Sequence, residues 1–398
     1  MDQPPPPDAP PFLTPAQAAR AAARAALRER TDAVIARAEA RLAAMAAAGP
    51  QAAVRRARLS DAEEVLAIPY LSERSVMSYL RQEDVLGLRA ASRTCREAVA
   101  EHAWSDLDEA DPWGDKSRIR GRLSSWRVCF PLARAASLWD NKTLTDADFV
   151  HLRGVRMLNM SYCNQATITD AAFAHLRSIH TLNMSLCNQA TITDAAFAHL
   201  RGIHTLNMRR CNQATITDAA FAHLRGIHTL DMSEYNQATI TDAAFAHLRG
   251  IHTLDMSSCK QDTITDAAFA HLRGIHTLDM SFCNQATITD AAFVHLRGIH
   301  TLNMICCWQG TITDAAFAHL AGIHTLHMSY CNQITDVAMV RLWGIHTLWL
   351  NGCTQISDAA LAHLVGIRDL LIRDSPQLTD AALAPLRAGG AVIQRGAV

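Results

Sequence analysis

The sequence predicts an α/β solenoid in which about eleven units of 22–24 residues stack short helices and short strands around one continuous core. Three observations support this fold class. The string Ile-Thr-Asp-Ala-Ala-Phe recurs every 24 residues from Ile168 to Ile312, with a variant at Leu144. Each copy carries a helix signal followed by a strand signal. Diverged copies then continue the series at 22-residue intervals from Ile334, Ile356 and Leu378.

One of the middle units shows how each helix is predicted. Thr169 suits an N-cap, because its hydroxyl can accept a hydrogen bond from a free backbone N–H of the first turn. Asp170 follows at the position where the helix dipole favours a negative charge. Phe173 and Leu176 are three residues apart and therefore share one helical face. Most units carry a glycine after this helix, as at Gly202, which permits a positive φ and ends the helix.

The second half of the unit predicts a short strand. Leu182 and Met184 flank Asn183, and this alternation indicates a strand with one buried face. With Ile179 and Cys187 they form the pattern L-x-x-L-x-L-x-x-C. This pattern resembles the cysteine-containing leucine-rich repeat. The resemblance covers about 240 residues and implies a horseshoe with a parallel β-sheet on its concave face and short helices on its convex face.

A second motif precedes the repeats, at residues 68–104. It opens with Ile-Pro, continues with Val-Met-Ser-Tyr-Leu and Asp-Val-Leu, and closes on Trp104. Val76, Met77 and Leu80 are spaced to form one apolar face of a short helix. The motif resembles an F-box, although Cys95 stands where that family usually has Trp. The positions that the resemblance assigns to adaptor binding are Ile68, Pro69, Val76, Met77, Leu80, Asp84 and Leu86.

The F-box resemblance implies a function. F-box modules dock on the Skp adaptor of cullin-RING (SCF-type) ubiquitin ligases. The chain is therefore expected to be a non-catalytic substrate-recognition adaptor that brings a target protein to the ligase for ubiquitin-dependent degradation. Two alternatives stay open. One is a leucine-rich-repeat scaffold for protein–protein interaction whose helical segment only caps the solenoid. The other is an adaptor that diverts the ligase and has no degradation target.

Composition places the remaining boundaries. Thr14-Pro15-Ala16-Gln17 is a capping box that opens an Ala/Arg-rich helix. Because the helix has an excess of arginine, one interpretation is an arm that binds anionic surfaces, although a solvated helix is the simpler interpretation. We divide the chain into a disordered Pro-rich tail (1–13), the Ala/Arg-rich helix and linker (14–58), the F-box-like module (59–107), a linker and N-terminal repeat cap (108–143), the repeats (144–387) and a C-terminal tail (388–398).

The predicted concave face is where otherwise near-identical units differ. Arg209 and Arg210 form a basic spot. Beside it lies an acidic stripe made of Asp231, Glu234, Asp255 and Asp279, and aromatic and apolar residues gather further along the stack. Because binding energy concentrates in aromatic and arginine anchors, we expect a target protein to bind there. Sequence drift on an unused surface is the alternative. The predicted target-binding residues are Arg209, Arg210, Asp231, Glu234, Asp255, Asp279, Phe282, Ile305, Trp308, His327, Tyr330 and Trp349.

Several classes of function are not indicated. A net charge of −1 does not suggest a nucleic-acid or polybasic membrane binder. No apolar run is long enough for a transmembrane helix. The first residues lack a secretory signal, so we expect a cytoplasmic or nuclear protein with reduced thiols, monomeric before it joins a complex. No catalytic or phosphate-binding motif is present, and His and Cys recur with the repeat rather than in compact pairs. We therefore expect no enzymatic activity, cofactor or metal site.

Overall fold

The computed structural model describes residues 121–395, together with Glu97, Val99, Ala100 and Ile119. The seven residues assigned to adaptor binding and almost all of the F-box-like module therefore lie outside the described residues, as do the Pro-rich tail and the Ala/Arg-rich segment. The chain divides into two compact units, and the second, residues 107–124 and 135–398, carries the repeats. No helix in the described part is both long and apolar enough to cross a membrane.

The second unit is a solenoid of leucine-rich repeats, as predicted. Within the described residues its strands form one parallel sheet of twelve, each paired with its neighbour in sequence. Equivalent residues of successive units stand opposite each other, as Leu182 does to Leu206. The strands are β1 Ala135–Ser137, β2 Met157–Asn159, β3 Thr181–Asn183, β4 Thr205–Asn207, β5 Thr229–Asp231, β6 Thr253–Asp255, β7 Thr277–Asp279, β8 Thr301–Asn303, β9 Thr325–His327, β10 Thr347–Trp349, β11 Asp369–Leu371 and β12 Val392–Gln394.

Both ends of the sheet contain a strand that lies outside the predicted repeats at 144–387. The segment proposed as an N-terminal cap contributes β1, which pairs with β2. The sequence analysis assigns residues 388–398 to a tail, whereas the structure places β12 there and pairs it with β11. This strand was missed because Val392–Gln394 follows a longer helix and lacks the leucine pattern of the other units.

Most helices of the repeats are single turns. They are Asp170–Phe173, Asp194–Phe197, Asp218–Phe221, Asp242–Phe245, Asp266–Phe269, Asp290–Phe293, Asp336–Met339 and Asp358–Leu361, with 3-10 turns at Asp146–Leu152, Val294–Leu296 and Asp314–His319. Longer helices span Leu123–Cys129, before the repeats, and Asp380–Ala388, after them. The predicted cap is confirmed, since the Thr169 hydroxyl accepts a hydrogen bond from Ala171 N. Glycine ends most turns in the left-handed conformation, as at Gly202 with φ +81°.

The aspartate that opens each helix also joins neighbouring units. Asp170 Oδ1 accepts a hydrogen bond from Thr193 N, and Oδ2 accepts one from Thr193 Oγ1, both at 2.7 Å. The same pair of bonds recurs from Asp146 to Asp358. Hydrogen bonds to a charged acceptor are among the stronger ones in proteins. The carboxylates therefore fasten each turn to the next along the helix side of the solenoid.

Several columns of equivalent residues fill the core between the helices and the sheet, and two of them bear on the predictions. One column is phenylalanine, fully buried in the units from Phe149 to Phe317 and replaced by Met339 and Leu361 near the end. The other is cysteine, whose thiol donates to a backbone carbonyl of the preceding unit, as Cys211 Sγ does to Met184 O at 3.0 Å. The cysteine side chains therefore have a structural role, since they join successive units. Burial raises the pKa of Cys211 to about 12, which keeps this thiol protonated and unreactive at neutral pH.

Candidate functional site

The face of the sheet opposite the core is the candidate site. Strands β2 to β11 direct their central leucine into the core, so the residues on either side of it face away from the core. These flanking residues are buried in β2 and β3 and half-buried from β5 to β10. Three outward columns follow from strand to turn, represented in one unit by Asn207, Arg209 and Arg210. Eleven of the twelve residues predicted to bind a target lie in a strand of this sheet or in the turn that follows it, and Trp308 lies in the segment after the turn.

The first outward column has a structural role that the sequence analysis did not foresee. Asn207 Oδ1 accepts a hydrogen bond from the backbone N–H of Arg209, two residues further on, at 3.0 Å. Asp231, Asp255 and Asp279 each make the same bond to the serine two residues on, at 2.9–3.0 Å. Short polar side chains commonly close such turns. One carboxylate oxygen of each of these three aspartates is therefore already occupied by a hydrogen bond within its own turn.

The acidic stripe is bounded by amides on both sides. Asn207 Nδ2 donates to Asp231 Oδ2, and Asn303 Nδ2 donates to Asp279 Oδ2, both at 2.7 Å. Asp255 lies between the two other aspartates, with a carboxylate on each neighbouring strand. Burial, together with the charges of Asp231 and Asp279, raises the pKa of Asp255 to about 6. The centre of the stripe is thus the part of this face where negative charge is least compensated.

The basic spot is internally paired. Arg209 Nε donates to Glu234 Oε1 at 2.9 Å, and both Arg209 and Arg210 form ion pairs with the same carboxylate. Burial acts to raise the pKa of Glu234, but the hydrogen bonds from the two arginines hold it below its ordinary value. The hydrogen bond with Glu234 in turn raises the pKa of Arg209. The three residues predicted as separate charged features therefore form one Arg–Glu–Arg cluster.

The aromatic residues lie on the following units. Phe282, Trp308 and Tyr330 expose 43%, 61% and 42% of their surface, whereas Ile305 and Trp349 are half-buried. His327 stacks on Trp349 with ring centroids 3.7 Å apart. We call Phe282, Ile305, Trp308, His327, Tyr330 and Trp349 the aromatic group. Exposed aromatic side chains on a rigid sheet offer large contact areas at low conformational cost.

Tyr330 is held in place by two residues that the sequence analysis did not single out. Its hydroxyl donates to Asp374 Oδ2 at 3.0 Å, and this hydrogen bond raises the pKa of the phenol. Its ring lies over Gly352, where a side chain would overlap the ring. Gly352 occupies the same turn position as Tyr330, one unit later. A glycine at this position of the sequence was the available signal for the contact with the Tyr330 ring. The ring is consequently fixed before any partner arrives.

The turn column is conformationally unusual. Tyr162, Arg210, Phe282 and Tyr330 adopt φ between +55° and +63°, a left-handed conformation that non-glycine residues seldom adopt. This conformation costs about 1 kcal/mol for a residue with a side chain. The surrounding ladder of hydrogen bonds stabilises it, for example that from Tyr330 N to Asn351 O at 2.7 Å. Arg210, Phe282 and Tyr330 therefore project from a rigid, strained turn.

The histidines form two columns but no metal centre. His180, His204, His228, His252, His276, His300, His324 and His346 stack face to face, with ring centroids 4.3–4.7 Å apart. A second column accepts hydrogen bonds from arginines, as His247 does from Arg225. Within the described residues no group of three or more His, Cys, Asp or Glu is arranged to hold a metal ion.

Comparisons with known proteins support the fold. Residues 166–300 match the family model described as the BspA-type leucine-rich repeat region, in six copies. The sequence pattern suggested the cysteine-containing type, whereas the match is to the BspA type. A search of curated proteins finds no match to the sequence.

Two solved structures are similar in fold. Both describe the Toll–Spatzle complex, a molecular hub in Drosophila development and innate immunity. The glycosylated form aligns with a TM-score of 0.50 and 12% identity over 68% of this chain and 42% of that chain. The other aligns with a TM-score of 0.51 and 16% identity over 70% and 43%. The present chain thus covers less than half of each of these two chains, and at these identities the likeness concerns the fold alone.

Proposed function

We propose that this protein is a non-catalytic binding protein whose exposed sheet face recognises a partner protein. One observation carries the proposal. Units that are otherwise almost identical differ on this face, and there the differences place three exposed aromatic side chains two to four strands away from the charged cluster around Glu234. Such a combination of aromatic and arginine anchors is typical of protein interfaces. The fold supports this role, because stacked repeats present one extended surface.

The test compares three matched tryptophan variants. Trp308→Ala removes an exposed ring from the aromatic group, and Trp349→Ala removes the ring stacked on His327. Trp343→Ala removes a ring that is 73% exposed between the helix and the strand of its unit, outside the sheet face. Partners captured on the immobilised wild-type chain are identified and their affinities measured with each variant. We expect Trp308→Ala to weaken binding and Trp343→Ala to leave it unchanged. Equal affinities for all three variants would exclude this face as the binding surface.

We further propose that the partner is a target delivered to an SCF-type ubiquitin ligase. This finer proposal depends on the resemblance of residues 68–104 to an F-box, with Ile68, Pro69, Val76, Met77, Leu80, Asp84 and Leu86 as the contacts to a Skp-type adaptor. We also propose that the protein acts in the cytoplasm or the nucleus. A leucine-rich-repeat scaffold without a ubiquitin role is the alternative.

Co-expression with a Skp-type adaptor decides between these two. We expect the full chain to co-purify with the adaptor and the Pro69→Ala, Leu80→Ala double variant to lose it. If the wild-type chain does not co-purify, the ubiquitin role is excluded, while the sheet-face proposal stands on its own test.

A further inference from the structure

The edge of the solenoid where helices lead into strands has a one-sided composition. In six consecutive units the eight residues of this edge read Ala/Val-His-Leu-Arg-Gly/Ser-Ile-His-Thr, as in residues 222–229. Each stretch contains one arginine and two histidines, and none contains Asp or Glu. We call this surface the basic edge. Its arginines are Arg177, Arg201, Arg225, Arg249, Arg273 and Arg297, and all six are exposed.

Strand pairing turns this composition into a straight row of charges. Thr205 stands opposite Thr229 and Thr229 opposite Thr253, so the arginines a few residues earlier also fall into register. The histidine rings of the same edge repeat every 4.5–4.7 Å from His180 to His300. At the spacing of paired strands, the five intervals between the six units therefore span roughly 24 Å. The guanidinium groups form a line rather than a scattered patch.

Neighbouring histidines orient most of these arginines. Arg201 Nε donates to His223 Nδ1, Arg225 Nε to His247 Nδ1 and Arg249 Nε to His271 Nδ1, each at 3.4 Å. The acceptor in each bond is the lone pair of a neutral imidazole. These contacts fix the side chain without neutralising its charge.

No carboxylate forms an ion pair with the arginines of the basic edge. Across residues 121–395, the ion pairs of the structure involve Lys142, Arg209, Arg210, Arg387 and Arg395 and none of these six arginines. The aspartates that open the helices keep their negative charge, but both oxygens of each accept hydrogen bonds from the next unit rather than from an arginine. The basic edge thus presents to solvent a row of oriented guanidinium groups that have no carboxylate partner.

We propose that the basic edge binds an extended acidic segment of a polypeptide. The planar guanidinium fork matches a carboxylate. An extended chain rises about 3.3 Å per residue, so roughly seven residues cover the row. Single-stranded nucleic acid is the less suitable polyanion, because its binding sites rely on exposed aromatic faces for the bases. The histidine rings of this edge cover each other's faces and expose only their edges. The proposal is independent of the sheet face.

The chain provides evidence that the arginines can be removed safely. Ala321 occupies the arginine position in the next unit, and that unit keeps its strand and its stacked histidine. The triple variant Arg201→Ala, Arg225→Ala, Arg249→Ala should therefore fold. A control with the same change of charge removes exposed cations elsewhere, through Lys260→Ala, Arg373→Ala and Arg387→Ala.

The experiment measures binding of a fluorescein-labelled dodecaglutamate peptide to the full chain at pH 7 by anisotropy. We expect the wild type and the control to bind equally and the triple variant to bind about tenfold more weakly, since three exposed ion pairs are lost. Binding should also weaken as salt is added. A labelled twelve-nucleotide oligothymidylate and a heparin dodecasaccharide are measured in parallel.

Three results would overturn the proposal. The first is no binding of the peptide by the wild type at low salt. The second is equal binding by the triple variant and the control. The third is tighter binding of the oligonucleotide or the saccharide than of the peptide, which would assign the edge to another polyanion. Circular dichroism checks that the triple variant is folded, and a second triple with Gln at the same three positions repeats the comparison if it is not.

Discussion

Replacing one phenylalanine in the middle of the stack tests whether that column holds the solenoid together. Phe221 is fully buried between its own helix and the sheet. A buried aromatic side chain removes about 150–250 Å² from water. Phe221→Ala forfeits most of that burial and leaves a cavity, so we expect the free energy of unfolding to fall by about 3–5 kcal/mol. Urea denaturation followed by circular dichroism measures the loss.

The chain supplies its own control for this prediction. Leu361 and Met339 occupy the equivalent position in two units that keep the same helix and strand. Phe221→Leu should therefore cost less than about 1.5 kcal/mol. An unchanged urea midpoint for Phe221→Ala would show that the ring does not pack in the core. Equal losses for Ala and Leu would show that shape, rather than volume, governs the column.

Three further predictions concern the ladders. Asp218→Ala removes the acceptor of two hydrogen bonds from Thr241 and should lower the free energy of unfolding by about 3 kcal/mol, with a smaller loss for Asp218→Asn. Gln261→Leu should leave the free energy of unfolding unchanged or raise it in the same urea assay. The reason is that both polar atoms of the buried Gln261 side chain lack a hydrogen-bonding partner in the described part of the chain. Gln189→Leu, by contrast, should lower the free energy of unfolding, because it removes the hydrogen bond to Cys163 O. Burial and neighbouring histidines lower the pKa of His228 and His252 below 6.5, so the unfolded chain binds more protons and the urea midpoint should fall as pH drops from 7.5 through 6.5. Replacing both by Gln should flatten this dependence. Asp255 acts in the opposite direction below about pH 6, because its raised pKa makes the folded state the better proton acceptor there.

The repeat pattern predicted the fold because local and long-range signals agree in every unit. Thr169 caps its helix, Phe173 is buried, and Leu182 points inward from its strand, each as expected from spacing alone. The pattern did not predict the bonds between units. That Asp170 binds Thr193 depends on how one turn stacks on the next, which no single unit encodes.

The candidate site was only partly predictable for the same reason. The outward columns and their exposed aromatic residues follow from the alternation of a strand. The pairing within those columns does not: Glu234 joins Arg209 and Arg210 into one cluster, and Asn207 covers one end of the acidic stripe. The support of Tyr330 by Asp374, 44 residues away, likewise requires the assembled solenoid.

The near-identity of the units has a consequence for how the recognition surface can change. Each Asp–Thr hydrogen bond joins one unit to the next, so deleting or inserting a whole 24-residue unit leaves each remaining bond with an equivalent partner. When the unit lies between the cluster around Glu234 and the aromatic group, such a change moves these two features apart or together by one strand spacing, about 4.8 Å. The distance between these two features can therefore change only by whole strand spacings. The strands β1 and β12, whose sequences differ from those of the other strands, form the two ends of the sheet.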